Sequence, residues 1–380
     1  MAEPSSDVAV MRQQIVSQPA LLREIVEPAA RQVEDALRRV QPQRWRAIYT
    51  AGCGDSFYAG LACEMAFAQF CRLPVKALAA MPFARYEAVG AATPSGMFGI
   101  SNSGEVARSI EAVALARSAG MDTVAVTGRE GSGITKEAAA TVAVPVAPMG
   151  RAPGIRSYTV QLVSLLLCAI HIGELRQVLT PSEGDRQRQQ LVAVADCMDA
   201  AIQAADGPAR QAAELLEGAG NWVFLGCGPS YATALFSAAK LVESCGANAW
   251  GQDIEEWAHI QYFNAEERTP TCLIAPPGRS LDRALELFPH LKTVGRHTMV
   301  VTSLDPAELP AAADTYLPVP EPPPEPFAPL VYCLAGELLA CHLAEVRKTG
   351  FFRPTGGASG AGDRLRESRI VRQLDDLPFG

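Results

Sequence analysis

Two short segments concentrate the residues that could do chemistry. Gly52-Cys53-Gly54-Asp55-Ser56 is a glycine-rich turn between an apolar run and an alanine-rich stretch. Such a turn lets backbone N–H groups converge on an anion at a helix N-terminus. Alone it reads equally as a plain tight turn, because one glycine loop has low specificity. Ser101-Asn102-Ser103-Gly104-Glu105 follows the next apolar run and offers hydroxyl and amide groups at a strand's carboxyl end. Helix capping by Ser103 would account for one serine but not for the cluster. Two such loops on successive strands converge on one crevice, and a neutral, hydroxyl-rich cradle suits a phosphate monoester; a sulfonate would also fit. An aspartate beside a dianion costs energy unless it points at a hydroxyl or amine. Asp55 is therefore expected to face a hydroxyl or an ammonium group of the ligand.

The elements that must hold these loops follow from an internal repeat. Residues 45–58 and 221–231 both run from an apolar strand into Gly-Cys-Gly-x-Ser and then a helix; the second loop is Gly226-Cys227-Gly228-Pro229-Ser230. Two copies of one α/β unit explain this most simply. Apolar runs at 47–51, 96–100, 123–127 and 141–146 predict strands in the first copy, with helices over 56–70, 105–118 and 157–176. Runs at 222–226, 271–275, 297–302 and 315–318 predict strands in the second. Strands alternating with helices imply an α/β fold, each copy a doubly wound parallel sheet of about five strands flanked by helices. Ligands belong at the carboxyl ends of such strands. Residues 1–40 are expected to be a helical segment on the first domain, 41–183 that domain, 184–219 a helical linker, 220–350 the second domain and 351–380 a tail.

Composition narrows the function. A net charge of −8 argues against nucleic acid, whose phosphates are met by basic faces. No targeting segment and no apolar run of membrane-spanning length is seen, so a cytoplasmic protein without a membrane partner is expected. The ten cysteines are scattered without metal spacing and are expected to be reduced thiols. No motif implies a metal or an organic cofactor.

On these loops the chain resembles the double-SIS (sugar isomerase) family, and in the order of both halves it resembles the isomerase portion of glucosamine-6-phosphate synthase. Further motifs carry the resemblance. Met11-Arg-Gln-Gln-Ile-Val-Ser-Gln-Pro19 is similar to that family's Met-x-x-Glu-Ile-x-x-Gln-Pro. Arg156-Ser157-Tyr158-Thr159-Val-Gln-Leu is similar to Lys-Ala-Phe-Thr-Thr-Gln-Leu, in a form closer to deglycase and deaminase relatives. Lys240-Leu-Val-Glu243 stands for Lys-Leu-Lys-Glu, and Glu256-Trp-Ala-His259 for Glu-Leu-Lys-His. The resemblance implies two tandem SIS domains. Glu243 would be the base that moves a proton between C1 and C2. His259 would open the sugar ring, reaching a neighbouring subunit's site in a homodimer. Cys53, Gly54, Asp55, Ser56, Ser101, Asn102, Ser103, Arg156 and Ser157 would contact the substrate. Lys240 and Glu256 are read either as substrate contacts or as an ion pair.

The departures matter too. A chain with no glutaminase domain is not expected to take ammonia from glutamine. Family synthases end in Pro-Arg-Asn-Leu-Ala-Lys, whereas Ser359 stands in the lysine's place here. The second copy's loop, 275–280, lacks the serine cluster and is expected to have lost phosphate binding. Two reactions on a phosphosugar or its amine adduct remain: aldose–ketose isomerisation, or deglycation and deamination through an imine. The missing lysine and the 156–159 segment favour the second. The alternative of another class is a non-catalytic, sugar-phosphate-binding regulatory protein.

Overall fold

A computed structural model describes residues 6–264, 267–352 and 371–372. Most of the expected tail, Ser359 included, lies outside the described residues. The helices in chain order are α1 Ser6–Val16, α2 Gln18–Leu37, α3 Asp55–Cys71, the single turn α4 Ala80–Pro82, α5 Ala107–Ser118, α6 Gly133–Glu137, α7 Arg156–Leu175, α8 Pro181–Leu215, α9 Pro229–Cys245, α10 Ile254–His259, α11 Leu281–Thr293 and α12 Pro329–Arg347. The described residues form two compact units. One comprises Leu21–Ala147 and Ser157–Val192; the other comprises residues 6–20, Pro148–Arg156 and 193–352.

The first unit holds β1 Ile48–Gly52, β2 Val75–Ala79, β3 Gly96–Ile100, β4 Asp122–Thr127 and β5 Ala140–Ala143, all parallel, in the order β2-β1-β3-β4-β5. β1 and β3 are buried along their whole length, as expected for apolar runs covered on both faces. Val113 of α5 packs where Gly99 leaves room on β3. The Trp45 ring lies over Gly96, and its Nε1 donates to Asp122 Oδ2 at 2.7 Å. β5 stops at Ala143, short of the expected 146, because Pro145 has no N–H to offer the ladder. At the opposite edge, Glu64 of α3 accepts the outward N–H of Ala77 at 2.5 Å.

The second unit repeats the connectivity. β6 Asn221–Gly226, β7 Asn248–Asp253, β8 Pro270–Ala275, β9 His297–Thr302 and β10 Thr315–Pro318 run parallel in the order β10-β9-β8-β6-β7. The doubly wound α/β reading therefore holds for both copies. The helical segment expected over residues 1–40 is present from residue 6 as α1 and α2, but its first part is not on the first domain. Residues 6–20 pack with the second unit: Cys341 Sγ lies 3.8 Å from Val8 O, and Gln18 Nε2 donates to Glu337 Oε2 of α12 at 2.5 Å. Segments of α7 and α12 are long and apolar enough to cross a membrane, yet 83% and 89% of them are buried inside the protein.

One polar cluster in this unit sets a pH dependence. Arg12 grips Asp206 through two bonds of 2.7 and 2.8 Å, and His342 Nε2 adds a third contact at 2.9 Å. The Arg12 hydrogen bond, reinforced by His342, holds the Asp206 carboxyl down at about 2 against an ordinary 3.8. A depressed carboxylate stabilises the fold above its unfolded value and loses that contribution as pH falls through the folded one. Urea midpoints should therefore drop between about pH 4 and pH 2, and less steeply in Asp206→Asn. Equal slopes for the two proteins would refute this role.

Candidate functional site

The two glycine loops have one backbone. Gly54 and Gly228, each just before a helix, sit at φ/ψ of 56/−128 and 55/−128. Such positive φ is open to glycine and strained for other residues. Gly52 closes the turn: a Cβ there would lie 2.7 Å from the Ser56 carbonyl carbon and 2.9 Å from Phe57 N. In the second copy a Cβ on Gly226 would likewise collide with the backbone of Ser230. Gly52→Ala must therefore push the start of α3 away from β1. Hexose 6-phosphate affinity should fall by about tenfold or more, roughly 1.4 kcal/mol, while the far-UV spectrum is kept. Unchanged affinity would show that this turn does not shape a ligand site.

In the first unit the predicted loop residues gather at the carboxyl ends of β1 and β3. Ser56, 8% exposed, is the second residue of α3, and its Oγ accepts from Gln161 Nε2 of α7 at 3.1 Å. Ser101 is buried and its Oγ accepts from Gly104 N at 3.1 Å. Asn102 and Ser103 are exposed, as are Cys53 and Gly54, while Asp55 is half-buried. Ser103 does not cap α5: its Oγ accepts from Glu105 N at 3.2 Å, and the helix starts only at Ala107, with Val106 at its N-cap. Glu105 and Val106 stay outside the helix, and the Glu105 carboxylate accepts from Gly133 N at 3.3 Å. Arg156 and Ser157 open α7 and are half-buried, Ser157 one turn before Gln161.

In the second unit Lys240 and Glu243 lie one turn apart on α9. The Lys240 side chain is 0% exposed and its Nζ is 2.6 Å from Glu243 Oε2; Glu243 is 28% exposed. Lys240 also stands over the Phe236 ring, 4.7 Å from its centre. A fully buried ammonium fixes the carboxylate and its orientation. Lys240 thus pairs with Glu243, not with Glu256, which is exposed in the first turn of α10, where its N–H meets Asp253. His259 ends α10 with its side chain 66% exposed, and its Nδ1 lies 2.8 Å from Glu255 O. A carbonyl only accepts, so Nδ1 carries the hydrogen and Nε2 of the neutral ring is the proton acceptor. No hydrogen bond or ion pair joins His259 to Glu243.

Three groups near the first loop escaped the sequence reading. Arg108 and Arg85 both contact the carboxylate of Glu111, Arg85 Nε at 2.5 Å, and Glu111 is 0% exposed. The Arg108–Glu111 spacing on α5 was a local signal, but nothing local pointed to Arg85. Cys53 lies against Ser109 and Arg108, and burial pushes its thiol up. Among the described residues no group of three or more His, Cys, Asp or Glu is placed to hold a metal ion.

Comparison with known proteins bears on both units. The SIS domain family matches residues 43–171 and 215–345. Glutamine–fructose-6-phosphate aminotransferase (isomerizing) of Zymomonas mobilis is 25% identical over 360 residues, covering 93% of this chain. The match takes in only 59% of that relative's length. Among solved structures, the C-terminal domain of glucosamine-fructose-6-phosphate aminotransferase from Francisella tularensis aligns with a TM-score of 0.80 at 19% identity, covering 90% of this chain and 97% of that one. Glucosamine-6-phosphate deaminase from Thermotoga maritima aligns with a TM-score of 0.67 at 16% identity, covering 90% and 96%. Both likenesses concern the fold.

Proposed function

Because this chain belongs to the SIS domain family, with two matched stretches in tandem, we propose that it is an enzyme that moves a proton between C1 and C2 of a phosphosugar or of its amine adduct. The observation that carries the reading is the Glu243 carboxylate fixed on the buried Lys240 ammonium. Such chemistry needs one group to take a carbon-bound proton and return it one carbon away, and a second to exchange protons with the ring oxygen. Glu243 takes the first role, with one oxygen held by Lys240 and the other left for the carbon acid. His259 takes the second through Nε2. Ser56, Ser101, Asn102 and Ser103 hold the phosphate. With a free sugar phosphate the enediol returns as the isomer. With a fructosyl-amine phosphate the same shift gives an imine that water hydrolyses. The domain limits 41–183 and 220–350, a cytoplasmic location and a homodimer belong to this reading.

The test is proton NMR in deuterated water with fructose 6-phosphate, glucosamine 6-phosphate and a fructosyl-amine 6-phosphate in turn. Deuterium entering at C1 or C2 supports the enzyme, and the released product separates isomerase from deglycase. The exposed His259, unbonded to Glu243, favours the second reading, a sugar-phosphate-binding regulator. Tight binding without exchange would establish that reading instead.

A further inference from the structure

The serines of the first unit's loops share one hydrogen-bonding state. Ser56 Oγ accepts from Gln161 Nε2 at 3.1 Å, Ser101 Oγ from Gly104 N at 3.1 Å and Ser103 Oγ from Glu105 N at 3.2 Å. Among the described residues none of the three donates its own hydrogen to another protein group. A hydroxyl has one hydrogen to give and two lone pairs. With a lone pair engaged by the protein, each hydrogen is left for a ligand at the carboxyl ends of β1 and β3. The start of α3 makes Ser56 matter more. The N–H groups of Ser56 and Phe57, which a helix start would offer to an anion, donate instead to Cys53 O at 3.2 Å and Gly54 O at 2.9 Å.

Backbone N–H groups set Ser101 and Ser103, but a side chain sets Ser56. Gln161 lies on α7, 4% exposed, among the buried Val160, Leu162 and Val163. Its Oε1 is buried and has no hydrogen-bond partner among the described residues. An enclosed acceptor without a partner costs stability, and an apolar side chain of similar size would avoid that cost. The amide thus weakens the fold where it stands, and what it does there is hold Ser56.

We propose that Gln161 is a positioning residue of the first unit's anion site: by donating to Ser56 Oγ it aims the Ser56 hydrogen at a phosphate oxygen. The inference rests on the phosphosugar reading and deepens it, because a cradle of hydroxyls is selective for an anion only when each hydroxyl is set to donate.

The experiment is calorimetric titration of the full chain with fructose 6-phosphate, beside thermal melts of each variant. Gln161→Met should melt no lower than the intact protein and bind the ester about fivefold more weakly. In a Ser56→Ala background the same substitution should have no further effect on affinity, because the hydrogen it aims is gone. Gln161→Glu gives a signature that packing alone would not. At pH 8 its carboxylate accepts and cannot donate, so the Ser56 hydrogen turns to it and affinity should fall about tenfold or more. As pH falls toward about 5.5 the enclosed carboxyl, its pKa raised by burial, takes up a proton and donates to Ser56 again. The ratio of variant to intact-protein Kd, which cancels the ester's own protonation, should then shrink toward one. Unchanged affinity in Gln161→Met, affinity and melting temperature falling together, equal losses with and without the Ser56 hydroxyl, or a ratio flat with pH would each overturn the inference and leave the phosphosugar reading intact. No binding of fructose 6-phosphate, glucosamine 6-phosphate or a fructosyl-amine 6-phosphate by the intact protein overturns both.

Discussion

Glu243→Gln should abolish deuterium exchange at C1 and C2, by about 10²–10⁴-fold, with sugar-phosphate affinity held within a few-fold. The substitution keeps the shape and a hydrogen-bond acceptor for Lys240, and removes only the charge and basicity that proton abstraction uses. The environment makes the prediction specific. Glu243 is part exposed, while its partner ammonium is shut away from solvent, so the carboxylate is aimed from one side and open on the other. Exchange rates and Kd, measured on the same preparation, separate the alternatives. Loss of both would mean that the helix end is disturbed. Full exchange with normal binding would remove Glu243 from the chemistry altogether.

Glu111→Ala should destabilise the first unit by about 3–5 kcal/mol, because it strands two guanidiniums against a buried surface. Arg85 and Arg108 are 19% and 17% exposed, and Glu111 is fully enclosed. An exposed ion pair contributes less than about 1 kcal/mol, since water takes over when a partner is removed. Here the Glu111 side chain is enclosed where α5 packs on the segment that begins at α4, so water has little access to the face of each guanidinium that meets it. Urea unfolding would read the loss directly, and a change under about 1 kcal/mol would show that the cluster is solvated in solution.

Much of the fold was legible, and what was not has a physical pattern. The strands read from sequence were those with continuous apolar runs, such as β3 and β9, which are buried on both faces. β2 and β7 were not located; both are edge strands, as are β5 and β10, whose short apolar runs were read. β2, Val-Lys-Ala-Leu-Ala, is half-buried with Lys76 exposed, and β7 carries Asn248, Gly251, Gln252 and Asp253. A strand with one neighbour has no need of an uninterrupted apolar run. The start of α5 was placed two residues early, because the contact of Glu105 with Gly133 is not local. The glycine loops were visible because tight turns demand particular residues at particular places. Lys240 was not seen as buried, since a lysine on a helix is nearly always solvated and its enclosure depends on what packs over it. For the same reason the charge on α5 was missed: Arg85 reaches Glu111 from 26 residues away.

The carboxylate that Glu64 lays on the Ala77 amide has a consequence for how copies of this chain can meet. The rim of a parallel sheet is a ready template on which another chain can hydrogen-bond and grow. At β2 one of the template's donors is already taken by the protein's own helix. An incoming strand would have to evict that carboxylate and leave it without its hydrogen bond before gaining one itself. The β2 rim is therefore guarded against edge-to-edge aggregation, and self-association has an incentive to use side-chain surfaces instead.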